Sequence, residues 1–144
     1  MLTENDVRIF LQDLPEVNRV LGKEEFTPEQ IDVATKMSAA AYNEMAPFSS
    51  YTHQSFPFIY LHLLGTVIHL LKGKILEKQR NRLQHQTDGV VLDEEAAADY
   101  YAAMMKELSV EFRAKAKESK IAINIARGWG HVSSPYVSGT NLNV

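Results

Sequence analysis

Apolar residues recur at helical spacing along most of the chain, and turn formers divide them into four runs. Thr3 followed by Asp6 offers an N-cap with an acid three residues on, after which Val7, Phe10, Leu11 and Leu14 mark a short first helix. Pro15, Gly22 and the charged Lys23-Glu24-Glu25 read as a connection. Thr27-Pro28-Glu29-Gln30 is a capping box with proline at the first helical position. Ile31, Ala34, Met37 or Ser38, Ala41 and Met45 come next on one face, so a second helix is predicted over about 28–45, before Pro47.

Residues 46–56 form a loop rich in aromatics and turn formers, and a third helix opens at Pro57. From Phe56 to Leu71 the chain is almost continuously apolar, and then it turns basic through about Gln86. A membrane span needs about twenty apolar residues. This shorter run holds His62 and His69 and continues as a charged helix, so no membrane association is expected. A helix apolar on all sides is one surrounded by protein. Thr87-Asp88-Gly89 breaks the chain, Asp93 caps the next segment, and no Gly or Pro appears again until Gly128. The fourth helix carries Ala97, Tyr101, Met104, Leu108 and Phe112 on one stripe, ends in Ile121, Ile123, Ile125 and Ala126, and spans roughly 50 Å. Its ends are expected to project or to meet neighbours. With a short connection at 87–92, helices three and four form an antiparallel hairpin.

The predicted fold is therefore all-α: a helical bundle over 1–128 with a long antiparallel hairpin, and an extended arm over 129–144. Glycines flank Trp129, Pro135 interrupts the arm, and β-branched residues mix with Ser, Thr and Asn, which favours extended backbone. An idle tail would not hold the one Trp of the chain, Tyr136 and three valines, each of which gains about 1.5–3 kcal/mol on burial. The arm is expected either to fold back on its own domain or to grip a partner.

Charge adds a polarity to this picture. The net charge is −3, which disfavours a dedicated nucleic-acid binder, but residues 1–71 carry four Lys or Arg against nine Asp or Glu, and 72–144 carry eleven against nine. The hairpin sets Lys72–Arg82 opposite about 97–107, where Asp99 and Glu107 lie, so this first basic cluster is expected to pair within the chain. Arg113, Lys115, Lys117, Lys120 and Arg127 have few acids of their own and are the expected contacts to another subunit or to DNA. Cysteine is absent, which removes disulfides, thiol nucleophiles and thiolate metal sites and suits synthesis in the cytoplasm.

The sequence holds no recognisable catalytic pattern. Gly65 and Gly73-Lys74 are wrongly spaced for a phosphate-binding loop, and no Gly-x-Gly-x-x-Gly stands after a strand. A di-iron bundle needs Glu-x-x-His pairs, yet Ile59, Thr66 and Arg82 stand three residues before His62, His69 and His85. His62 and His69 read as core or interface histidines, Glu94-Glu95 as helix N-terminal acids, and Ser133-Ser134-Pro135 as a turn. No enzyme activity, cofactor or metal is expected.

The start Asp6-Val7-Arg8-Ile9-Phe10-Leu11-Gln12-Asp13, then Pro15-Glu16-Val17-Asn18, then Glu25-Phe26-Thr27-Pro28-Glu29-Gln30-Ile31 leading to Ala41-Tyr42-Asn43-Glu44-Met45-Ala46-Pro47, resembles the head-tail connector (adaptor, neck) proteins of tailed bacteriophages. The order of parts is also similar. The resemblance implies a structural virion protein that forms a ring, of twelve copies, beneath the portal protein. It implies that the ring extends the channel through which genomic DNA passes without sequence-specific binding, and that it docks the next neck or tail protein. It implies further that the C-terminal arm inserts between portal subunits. On this reading Trp129, Gly130, Val132, Pro135, Tyr136, Val137 and Leu142 are the expected portal-docking residues, with Trp129 and Tyr136 as anchors and Val132, Val137 and Thr140 able to pair with a strand. The alternative is a regulatory or DNA-handling helical protein that binds a phosphate backbone through residues 113–127.

Overall fold

A computed structural model describes residues 1–18, 22–85 and 94–129, and all the regular structure in them is helical. The elements are α1 (Glu4–Leu11), α2 (Pro28–Glu44), α3 (Ile59–His85) and α4 (Glu94–Trp129). Both predicted N-terminal signals form. The Thr3 hydroxyl accepts from the Asp6 N–H at 3.2 Å and the Asp6 carboxylate accepts from the Thr3 N–H at 2.8 Å, while Thr27 and Gln30 make the same reciprocal pair at α2. Hydrogen bonds from Thr3 hold the Asp6 carboxyl below its ordinary pKa. α1 ends at Gln12, whose φ of 56° places it in the left-handed region while its N–H reaches the Arg8 and Ile9 carbonyls.

The connection after α1 is organised by a buried charge pair that the hydrophobic pattern did not indicate. Arg8 and Asp13 are 4% and 3% exposed. The Asp13 carboxylate accepts from Arg8 at 3.1 Å, from the Asn18 amide at 2.7 Å, and from the backbone N–H groups of Glu25 and Phe26 at 2.6 and 3.1 Å. Arg8 also meets Glu4 at 2.8 Å and Glu24 at 3.1 Å. One carboxylate thus ties the end of α1 to the residues that lead into α2.

α3 is the central element. The segment Ile59–Arg80 is long and apolar enough to cross a membrane by length and composition alone. In the fold it runs among α1, α2 and α4, with Leu61, Leu64, Val67, Leu70, Leu71 and Ile75 buried. Two apolar clusters flank it. One joins Leu2 and Val7 to Phe26, Ile31, Ala34 and Leu70; the other joins Ala39, Tyr42 and Phe56 to Leu61, Leu64, Phe112 and Ala116. Tyr42 is fully buried, with Phe56 edge-on at 5.0 Å. On α2 the inward residue is Ser38, not Met37, which is half exposed; Ser38 donates to the His62 carbonyl at 3.0 Å.

At Gly65 of α3, side chains of α2 and α4 come into close contact with the helix. A Cβ added there would press on the Ser38 hydroxyl and lie 2.9 Å from the Phe112 ring and 3.0 Å from the Ser38 Cβ. The missing side chain is therefore a packing requirement, not a flexibility device.

The α3–α4 pair is antiparallel as expected. Tyr60 donates to Glu111 at 2.9 Å, and farther along the pair Lys78 lies over the Tyr101 ring at 6.0 Å. Phe112, Leu108 and Tyr101 of the predicted stripe face inward, and Ala116 continues it. Of the first basic cluster, Lys74 pairs within the chain as expected, though with other partners than Asp99 and Glu107: its ammonium reaches Glu77 at 3.0 Å and Glu25, in the α1–α2 connection, at 3.4 Å. Gly128 does not stop α4, which runs on through Trp129. The helix thus takes in the residue predicted to begin the arm; residues 130–144 lie outside the described residues.

Candidate partner-docking site

The functional candidate is the C-terminal end of α4, from which the arm departs. It is built on Lys120. This residue is 3% exposed, and its ammonium donates to the Met45 carbonyl at 2.6 Å, the Pro47 carbonyl at 2.7 Å and the Ser49 hydroxyl at 3.2 Å. It also lies 4.4 Å from the centre of the Tyr42 ring. Burial pushes its pKa down, and its bonding partners are neutral groups. Beside it, the Tyr42 hydroxyl and the Ser119 hydroxyl share a hydrogen bond of 3.1 Å. These contacts clamp α4 to the turn after α2, which includes a cis Ala46–Pro47 bond.

Lys120 therefore leaves the set of residues expected to touch DNA or another subunit. Positions 112, 116 and 120 recur every four residues on the inward face, so helical phase turned a lysine into the core. The other four members divide. Lys115 lies over the Tyr60 ring at 5.4 Å and 3.9 Å from Glu111, so it helps to hold the hairpin. Arg113, Lys117 and Arg127 are exposed.

Beyond the clamp the helix runs clear of the body. From Ile121 to Gly128 every residue except Ile123 is exposed, with Ile121 48% and Ile125 55% accessible. These eight residues amount to about 12 Å of helix. Ile121 and Ile125 stand one turn apart on the same outward side as Lys117. Trp129 closes α4, and the remaining expected docking residues, Gly130, Val132, Pro135, Tyr136, Val137 and Leu142, lie outside the described residues.

A second surface lies at the other end of the bundle. A groove of about 770 Å³ between α2 and the C-terminal half of α3 is lined by Val33, Met37, His69, Gly73 and Leu76, with Glu29 and Gln30 on its rim. Val33, Met37 and Leu76 are each half or more exposed. The hydrophobic pattern left Met37 and Ser38 as alternatives for the inward face and so did not show this groove, which opens because α2 turns Ser38 inward and Met37 outward.

The two histidines have different settings. The His62 Nε2 is 3.0 Å from the Thr35 carbonyl, its ring lies tilted against Phe56 with centroids 4.7 Å apart, and burial holds its pKa below the ordinary value. His69 lines the groove and is also lowered, first by burial and then by the nearby Lys72. Among the described residues no group of three His, Cys, Asp or Glu side chains is gathered for a metal ion. No protein-family model, curated protein or solved structure matches the chain.

Proposed function

We propose that this chain is a structural head-to-tail connector of a tailed bacteriophage, a ring-forming subunit that sits beneath the portal protein, continues the DNA channel and docks the next neck or tail component. The observation that carries the reading is the clamped, overhanging end of α4. Lys120 fixes the direction of the helix, and the segment after it stands free of its own domain, so the arm leaves from an outlying tip. A rigid body that offers an apolar arm at its tip suits insertion into another protein. Aromatic anchors such as Trp129 and Tyr136 supply the affinity of such an insertion. The helical wall needs no catalytic group, and weak phosphate contacts suit a channel through which DNA slides.

The test is truncation. Deleting residues 130–144 should leave the melting of the helical domain within a few degrees of the full chain and abolish co-sedimentation with purified portal rings. Unchanged portal binding by the truncated chain would refute the role of the arm. The DNA-handling alternative is tested in parallel: retarded migration of duplex DNA at physiological salt, lost on changing Arg113, Lys117 and Arg127 to Glu, would favour it over the connector reading.

A further inference from the structure

α4 is the longest of the four helices, and one side of it is not used by its own subunit. It packs into the core through Leu108, Phe112 and Ala116 and meets the turn after α2 through Lys120. Half a turn round from Phe112 stand Ala103, Val110, Ala114 and Ile121, all exposed, with Val110 66% accessible. Tyr100 and Ile125, also exposed, extend this side toward the two ends, so an apolar seam runs along about 38 Å of helix.

The charges that edge the seam are arranged about one level, that of Phe112. Glu107 and Glu111 are like charges four residues apart, and Arg113 and Lys117 are like charges of the opposite sign at the same spacing. Neither pair is favourable within a single helix. Glu111 stands one residue before Phe112 and Arg113 one after it, Glu107 five before and Lys117 five after, Lys106 six before and Glu118 six after. Each of these acids thus has a base at the mirrored position. The apolar residues follow the same rule, since Val110 mirrors Ala114 and Ala103 mirrors Ile121. Lys115 stands apart from this set, over the Tyr60 ring at 5.4 Å, and Glu111 also accepts from Tyr60 at 2.9 Å. Asp99 mirrors Ile125 at the margin of the seam.

A two-fold axis that crosses the helix at the level of Phe112 and points outward places every residue opposite its mirrored position in a second, antiparallel helix. The helical rotation of about 100° per residue keeps both members of each pair in reach: Glu107 and Lys117 lie about 40° to either side of the outward direction, and Lys106 and Glu118 about 60°. We infer that the outward face of α4 binds the same face of a second copy of this chain, the two helices antiparallel and centred on Phe112. The acidic Glu107–Glu111 pair of each copy then meets the basic Arg113–Lys117 pair of the other. Ala103 and Ala114 let the axes approach, and the apolar seam supplies affinity. The charges fix direction and register, because a parallel pairing would set Glu107 on Glu107 and Lys117 on Lys117. Such a contact is isologous and closes at two copies, whereas a ring needs a heterologous one, so the inference stands independently of the connector reading.

Charge exchange on the full chain tests it. Sedimentation at micromolar concentration should show a dimer. Glu107→Lys alone, or Lys117→Glu alone, should weaken it at least about tenfold, since each sets like charges against each other twice across the axis. Mixing the two single variants, or combining both substitutions in one chain, should restore it. A monomeric parent chain, or an exchange that restores nothing, overturns the contact. The natural absence of cysteine allows a second reading of the geometry. Ala103→Cys with Ile121→Cys, treated with a short bismaleimide cross-linker, should give covalent dimer and no larger species, because both links fall within one pair of chains. Ala103→Cys alone should not cross-link, as the two copies of that residue are about 27 Å apart along the helix axis. A ladder beyond dimer, or efficient cross-linking through Ala103→Cys alone, overturns the two-fold arrangement.

Discussion

Replacing Lys120 with Met tests whether the α4 tip is held by a buried cation. Methionine keeps most of the apolar stem against Tyr42 but removes the ammonium, leaving the Met45 and Pro47 carbonyls and the Ser49 hydroxyl without their common donor. Hydrogen bonds from a charged donor contribute about 1.5–3 kcal/mol each, and a desolvated cation over an aromatic face adds up to about 2 kcal/mol. Against that, the unfolded chain regains the hydration of the ammonium, an offset of several kcal/mol. Water also reaches the turn, since Pro47 is exposed and Met45 half-buried, so part of the loss at the carbonyls is recovered. The balance predicts a net destabilisation of about 2–3 kcal/mol, or about 6–9 °C in Tm for a chain of this size. Thermal unfolding monitored by circular dichroism reads this directly. Lys117→Met is the control, exposed and one turn away, and should shift stability by less than about 0.5 kcal/mol. Amide exchange in the 45–49 turn should quicken in the Lys120 variant alone. A Lys120→Met protein that melts within 2 °C of both the parent and the Lys117 variant would refute the clamp.

The same contacts predict three further outcomes. Asp13→Ala strands the buried Arg8 and two backbone donors and should cost about 3–5 kcal/mol in urea unfolding; a loss below about 1 kcal/mol would show that Glu4 and Glu24 suffice for Arg8. Gly65→Ala gains about 1 kcal/mol of helix propensity but overpacks Ser38 and Phe112 by about 1–3 kcal/mol. The net change should destabilise, and its cost should shrink in a Ser38→Ala background; equal costs in both backgrounds would exclude the contact as the cause. His62 and His69 titrate below the ordinary histidine value when folded, so between that lower value and about 6.5 the unfolded chain binds more protons. Stability should be complete above about pH 7 and fall as the pH drops below 6.5, with a limiting slope of about 1.4 kcal/mol per unit for each histidine. Urea midpoints at pH 7.5 and 5.5 measure the fall, which His69→Gln should reduce and His62→Gln reduce further; a pH dependence untouched by both would assign it to other groups.

Local signals carried most of the secondary structure into view. The two Thr-x-x-Asp/Gln caps, Pro28 and the capping signal at Asp93 mark helices that begin at Glu4, Pro28 and Glu94, because capping depends on groups within three residues of each other. The all-round apolar surface of α3 marked it as the central helix for an equally simple reason: such a surface must be covered on every side. Phase was less legible. Met37 and Ser38 are adjacent, and only the close approach at Gly65 decides that the small polar residue faces inward. Lys120 shows the same limit, since a lysine on an inward position reads as surface until a turn supplies acceptors.

By itself the sequence determined four helices, their approximate ends and the antiparallel α3–α4 pair, all consequences of short-range sterics, capping and hydrophobic periodicity. The tertiary structure alone decided which charges are spent inside the fold and which remain on its surface. Lys120 went to the carbonyls after α2, Lys74 to Glu25, and Asp13 to the chain entering α2, pairings between residues twelve or more apart that depend on how helices pack. Packing also opened the α2–α3 groove and carried the end of α4 past the body. Those two surfaces exist because helices of unequal length that meet closely at Gly65 cannot cover one another along their whole extent.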